Sequence, residues 1–80
     1  MFIRRLGLDP HREGRQTVAA AGCPDVWEVE DGGFAVIGVD ITERVRGRLP
    51  VTANCGPDER VVWVPRETLV LAKRDIPDVV

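Results

Sequence analysis

The residues with the most reactive side chains in this sequence are two cysteines and one histidine: Cys23, Cys55 and His11. The cysteines stand beside turn formers, in the stretches GCP and CGP. They allow a disulfide, a zinc site, or a nucleophilic thiol that would need His11 as its base. A zinc site would need two further ligands, and the chain has neither a CxxC nor an HxxxH pair. We therefore expect two turn-flanking thiols, without a disulfide or a bound metal.

Acid–base catalysis has little support in the sequence. His11 lies in DPHREGR, which reads as a loop, where a lone histidine is usually solvated. Carboxylates are plentiful, but no spacing singles out a pair, and acid–base work needs groups brought together in a cleft. We expect no catalytic residue, no cofactor and no enzymatic turnover.

A basic string, ERVRGR, is the remaining candidate site. On an α-helix Arg44 and Arg48 share one face and Arg46 points away. Guanidinium groups bind carboxylates or phosphates, although a solvated helix face is the commoner explanation. Asp40 and Glu43 lie beside the string and dilute its positive field. Arg44 and Arg48 are therefore candidate contacts for a protein partner, with nucleic acid as the less favoured alternative.

Length and composition set the class of protein. Eighty residues, 44% apolar and 30% charged, are typical of one small globular domain. A chain this short buries only about 60% of its unfolded surface, so a homodimer would be a natural way to bury more. The net charge of −2 argues against tight binding to nucleic acid or anionic membranes. No apolar run approaches the roughly 20 residues of a membrane span, and no secretory signal is visible. We expect a cytoplasmic protein with reduced thiols.

A hairpin is the clearest structural prediction. VWEVE, at residues 26–30, alternates apolar and acidic residues as a half-buried strand does. DGG follows, and glycine permits the positive φ angle that a tight hairpin turn requires. FAVIGVDI, at residues 34–41, then reads as a second strand that is apolar on both faces, which favours a covered position.

Two helices and a third strand follow the hairpin. Asp40 and Glu43 have the spacing of a capping box, which predicts a short helix that is interrupted at Gly47 and ended by Pro50. RVVWVP, at residues 60–65, reads as the third strand. Residues 65–77 predict a closing helix, with Pro65 near its first turn.

The expected fold is α+β: a small antiparallel sheet, formed by the hairpin and a third strand, with two short helices on one face. Residues 1–22 would form an N-terminal strand, with Ile3 pointing inward, and a mobile loop that includes a turn of helix at 16–21. Residues 23–80 would form the single domain. The predicted core consists of Trp27, Val29, Ile37, Val39, Ile41, Val45, Leu49, Trp63, Leu69 and Ala72.

The stretches VWEVEDGGFAVIGVDIT and VVWVPRETLVLAK resemble a domain-of-unknown-function family of small actinobacterial proteins. In that family a Cys leads into a Val-Glu-Val strand, a Val-Ala-Val strand follows, and an apolar strand feeds a terminal helix. The matching positions here are Cys23, Glu28, Val29, Phe34, Ala35, Val36 and residues 61–64. The resemblance implies association with developmental or helix-turn-helix regulators, and it assigns no catalytic residue. We expect a non-enzymatic module that binds a protein partner.

Overall fold

The computed structural model describes residues 1–7, Asp9 and residues 23–80. The loop and helical turn expected between residues 8 and 22, and His11 within them, lie outside the described residues. Five strands and two α-helices follow one another in the order β1, β2, β3, β4, α1, β5 and α2. Their bounds are Phe2–Arg5 (β1), Asp25–Val29 (β2), Phe34–Ile37 (β3), Val39–Asp40 (β4), Thr42–Val45 (α1), Val62–Trp63 (β5) and Arg66–Ala72 (α2). A 3₁₀ turn extends each helix, at Arg46–Arg48 after α1 and at Lys73–Asp75 after α2.

The predicted hairpin is present as β2 and β3. Gly32 has the positive φ of 95° that the turn requires, and its N–H donates to the Val29 carbonyl at 3.0 Å. The Asp31 carboxylate accepts the Gly33 N–H at 2.8 Å, which fixes the turn from its side chain. The two strands are antiparallel, with Trp27 opposite Ala35.

The strand β1 completes a three-stranded antiparallel sheet in the order β1-β2-β3. Its register with β2 shifts between Phe2 and Arg4, which marks a bulge at Ile3. The expectation that Ile3 points inward is wrong, because its side chain is exposed. Leu6, just beyond the strand, is the buried residue of this segment instead.

The helix α2 covers one face of this sheet. Ala72 on the helix forms the buried apolar cluster with Leu6 and Val26. Gly7 has a φ of 85°, and a Cβ at that position would lie 3.1 Å from the Ala72 nitrogen. The Gly7 N–H also donates to the Asp75 carboxylate at 2.7 Å. A residue without a side chain therefore permits the close approach of the segment after β1 to the end of α2.

The strand predicted from RVVWVP lies in a different place from the one expected. As β5 it pairs with β4 in a separate two-stranded sheet, and the third strand beside the hairpin is β1. The helix α1 is attached to this second sheet, because the buried Thr42 hydroxyl accepts the Val61 N–H at 2.8 Å. The Ile41 N–H donates to the Val61 carbonyl at 2.9 Å.

The α+β class with a small antiparallel sheet and two short helices is confirmed. The predicted core is wrong in part. Ala72 is the one fully buried member, and five others are half-buried: Trp27, Val29, Ile41, Val45 and Leu49. The remaining four are half-exposed or more: Ile37, Val39, Trp63 and Leu69. The alternation of apolar residues was read as a single shared core. Among the described residues, β5 belongs to a separate sheet and α2 covers one face of the hairpin sheet, so several of these side chains meet no layer formed by the described elements.

Candidate protein-binding surface

The main candidate surface is the face of the three-stranded sheet that α2 does not cover and against which no other described element packs. Side chains alternate along a strand, so Val26 faces α2 while its neighbour Trp27 faces away. We call this second side the open face. It carries a shallow groove of about 360 Å³. The groove is lined by Phe2, Asp25, Trp27, Ala35 and Ile37.

A buried carboxylate holds the open face in one geometry. Asp25 is only 8% exposed, and its two oxygens accept hydrogen bonds from the Arg5 guanidinium at 3.0 to 3.1 Å. The same carboxylate accepts the Trp27 Nε1–H at 2.9 Å and the Val26 N–H at 3.1 Å. The hydrogen bonds to Asp25 raise the pKa of Arg5, with a further contribution from the charge of Asp9. The Asp25 carboxylate therefore holds both the Arg5 guanidinium and the Trp27 indole in fixed positions on the open face.

Aromatic and cationic groups pack on the Trp27 ring beside this carboxylate. The Arg5 guanidinium lies 4.6 Å from the Trp27 ring centre, which is cation–π geometry. Phe2 contacts the other part of the same indole edge-to-face, with ring centres 5.7 Å apart. Tryptophan and arginine are the residues most enriched at energetic hot spots of protein interfaces. The open face thus presents a fixed aromatic platform beside an apolar groove.

The arginine string lies in α1 and the 3₁₀ turn, which follow β4 of the two-stranded sheet. Arg44 and Arg48 are both exposed, as a partner contact requires. The α-helix ends at Val45, and Arg48 belongs to the 3₁₀ turn, so helical spacing no longer places the two on one face. Arg46 pairs with Glu43 at 3.1 Å, and this hydrogen bond raises the pKa of Arg46.

The Asp40 carboxylate, just before α1, has a pKa that is shifted by its contacts with this helix. The Asp40 carboxylate accepts the Thr42 N–H at 3.0 Å, although the capping-box contact with Glu43 does not form at this terminus. Hydrogen bonds from the Thr42 side chain and backbone lower the pKa of Asp40.

We expect this pKa to be visible by carboxyl NMR titration. Since the folded-state pKa of Asp40 is lowered, its contribution to stability is present above its ordinary pKa and is lost as the pH falls through the folded value. Thr42→Val, which removes the hydroxyl, should move the Asp40 pKa back toward its ordinary value. An Asp40 that titrates at or above that value in the wild type would contradict this arrangement.

The two cysteines lie in different environments. Cys23 is buried, just before β2. Cys55 is half-buried and its thiol donates to the Glu59 carbonyl at 3.3 Å, within a turn that Glu59 also closes by accepting the Gly56 N–H at 2.8 Å. Both are present as thiols in this structure.

The difference in burial predicts two rates of thiol modification. Cys55 should react with a thiol reagent in the folded protein well before Cys23, because a buried thiol is reached only after local opening. Two titratable thiols should appear after denaturation without reductant. Loss of both thiols from that titration, or faster reaction of Cys23, would show that the thiol environments differ from those described.

No metal or membrane site emerges from the described part of the chain. Within residues 1–7, 9 and 23–80, no group of three or more His, Cys, Asp or Glu side chains is arranged to hold a metal ion. No helix in these ranges has both the length and the apolar composition to cross a bilayer.

Sequence reasoning missed the Asp25 cluster entirely. Neither Asp25, which follows Pro24, nor Arg5 stands out as a site residue in the sequence. Their pairing depends on β1 lying beside β2, and the two residues are 20 positions apart. The only local signal was that Asp25 and Trp27 share a strand face.

In comparisons with known protein families, with curated proteins and with solved structures, no match is found for this chain.

Proposed function

We propose that this protein is a non-enzymatic module that binds another protein through the open face of its three-stranded sheet. The observation that carries the proposal is the fixed platform of Trp27, Arg5 and Asp25 beside an apolar groove. A preorganised aromatic platform loses little conformational entropy on binding. Ile37, which forms one wall of the groove, is half-exposed, so burying its side chain against a partner would contribute favourable free energy to binding.

The partner that this surface suits is a protein with an apolar segment that can lie across the sheet. Arg44 and Arg48 supply a second, exposed contact region for carboxylates of the same partner. The resemblance to the actinobacterial family favours a regulatory protein, of the helix-turn-helix class, in that role. Binding through these contacts would require no catalytic activity of this protein.

The open face is tested by Ile37→Lys. This change places a charge in the groove at a position that is already half-exposed, so the fold should survive while capture of the partner falls at least about tenfold. Val70→Lys on α2 is the matched control, because Val70 is 54% exposed and lies away from the groove. The measurement is affinity capture with quantified bound partner and a circular dichroism check. Equal capture by both variants would remove the open face from the proposal.

The arginine region is tested by Arg44→Glu combined with Arg48→Glu. We expect weaker capture and a smaller dependence of capture on salt, because two exposed cationic contacts are reversed. A mobility-shift assay with DNA and RNA runs alongside. Unchanged capture would exclude these arginines from the interface, whereas a salt-sensitive shift that the double variant abolishes would favour the nucleic-acid alternative.

A further inference from the structure

We infer that the free edge of β3 binds an extended segment of a partner protein as an added strand, and that this segment is apolar with basic residues at its ends. The inference rests on the proposed binding function and specifies the partner's conformation and composition. Three features of the described residues support it: a main-chain edge that no described strand pairs with, a groove with apolar side chains on each side of that edge, and acidic residues at both of its ends.

The first feature is the main chain of β3. Among the described strands, β3 is the outer member of its sheet, and it pairs with β2 on one side. The Val29 N–H donates to the Gly33 carbonyl, and the same register continues to Ala35 and Ile37. In an antiparallel ladder the alternate residues, Phe34 and Val36, therefore direct their N–H and C=O groups outward. Such groups pair readily with an incoming strand.

The second feature is the pair of grooves that flank this edge. Ala35 and Ile37 line the groove of the open face. Phe34, on the opposite face, lines a second groove of about 410 Å³. That groove is less apolar than the first, because the Glu28 carboxylate also lines it. Its remaining wall is the chain after α2, with Ile76, Pro77, Val79 and Val80. Alternate side chains of an added strand would point into one groove and then the other, as in recognition by strand addition.

The third feature is charge. Edge strands that must stay unpaired usually carry charged residues or proline, and β3 has neither in its sequence FAVI. Carboxylates stand at both ends instead, with Asp31 in the hairpin turn and Asp40 at the end of β4, and both are exposed. A strand with lysine or arginine at its ends would place opposite charges against these carboxylates.

The same charges disfavour a second copy of this chain as the occupant. Two copies related by a two-fold axis would pair β3 with β3 in opposite directions. The Asp31 end of one strand would then approach the Asp40 end of the other, at both ends of the pair. Each such approach costs about 1 kcal/mol at 4 Å in water. The strand is also only about 14 Å long at its rise per residue, so it gives a homodimer little area to offset that repulsion.

The experiment is selection of phage-displayed random dodecapeptides on the full chain, followed by hydrogen exchange with an enriched peptide. We expect enriched sequences with four to six apolar residues between lysines or arginines. Bound peptide should slow exchange of the Phe34 and Val36 amides. Val36→Pro, which removes an outward N–H without touching the ladder to β2, should weaken binding at least about tenfold. Val70→Lys should bind like the wild type.

Several outcomes would overturn the inference. These are no enrichment, enrichment of acidic sequences, or peptide binding that leaves the Phe34 and Val36 amides in fast exchange. Protection of these amides in the isolated chain that grows with concentration would identify a second copy as the occupant and would also overturn it. If Ile37→Lys abolishes partner capture while the β3 amides stay unprotected, the open-face proposal stands and the strand-addition inference fails. If neither Ile37→Lys nor Val36→Pro weakens binding, both the open-face proposal and the strand-addition inference fail.

Discussion

Replacing Asp25 by alanine should lower the free energy of unfolding by about 3 kcal/mol, because it leaves the Arg5 guanidinium and the Trp27 indole N–H without their buried acceptor. Arg5 keeps partial contact with water, so the loss should stay below the roughly 5 kcal/mol seen for fully buried pairs. A domain with such a small buried core has little stability to spare. Chemical denaturation followed by tryptophan fluorescence measures the change.

Glu28→Ala is the matched control for Asp25→Ala. Glu28 pairs with Arg4 at 2.9 Å across the same two strands, and both side chains are more exposed than those of the Arg5–Asp25 pair, at 45% and 21% against 30% and 8%. An exposed pair of this kind contributes roughly 0–1 kcal/mol. If the two substitutions cost the same, Asp25 does not organise the open face as described. Asp25→Asn, which keeps an acceptor oxygen, should fall between them.

Gly38→Ala should disrupt the junction between the two sheets. A Cβ at this position would lie 2.6 Å from the Trp63 carbonyl oxygen and 2.7 Å from a Val64 methyl carbon. Since one of these atoms belongs to the backbone, β5 must move away from β4, and overpacking of this kind costs about 1–3 kcal/mol. We expect a loss of stability in that range and faster amide exchange at Val39, which lies opposite Trp63.

Gly47→Ala makes the same chemical change in open space. A Cβ at Gly47 would meet no atom within 4 Å. Alanine also favours helical backbone over glycine by up to about 1 kcal/mol, so this variant should match or slightly exceed the wild type. Wild-type stability in Gly38→Ala would show that the close approach between Gly38 and Trp63 is not present in solution.

Local signals in the sequence predicted the elements that depend on local physics. The DGG turn, the break around Gly47 and the closing helix after Pro65 appear where the local sequence predicts them. Each depends on residues within a few positions of one another. The strands beside the turn are also present, but the second one, predicted over residues 34–41, divides at Gly38 into β3 and β4, which join different sheets. The pairing of β5 depended instead on which distant strand it would join, and the alternation of VVWV is compatible with either sheet.

The core prediction failed for a related reason. An apolar row shows that a face is suited to burial, but it does not show which layer covers that face. Trp63 and Val39 face each other across β4 and β5, yet both side chains are more than half exposed. The part of the open face at Ile37 is likewise uncovered. An apolar residue that the pattern assigns to a core, such as Ile37, is therefore evidence for a binding surface when the structure leaves it exposed.

The candidate site was predictable only in part. Arg44 and Arg48 could be named because they are close in sequence, and both are exposed. The platform on Trp27 could not, because it joins Arg5, Asp25 and Phe2 across two strands. A salt bridge between distant residues leaves no periodic signal in a single sequence.

The central claim, that the open face binds a protein, is tested most directly by photo-crosslinking in the cells that make the protein. Ile37 is replaced by benzoylphenylalanine, and Val70 carries the same replacement in the control. The account predicts a discrete cross-linked adduct between position 37 and another protein, and no such adduct from position 70. Absence of an adduct at position 37, or equal adducts from both positions, would contradict it.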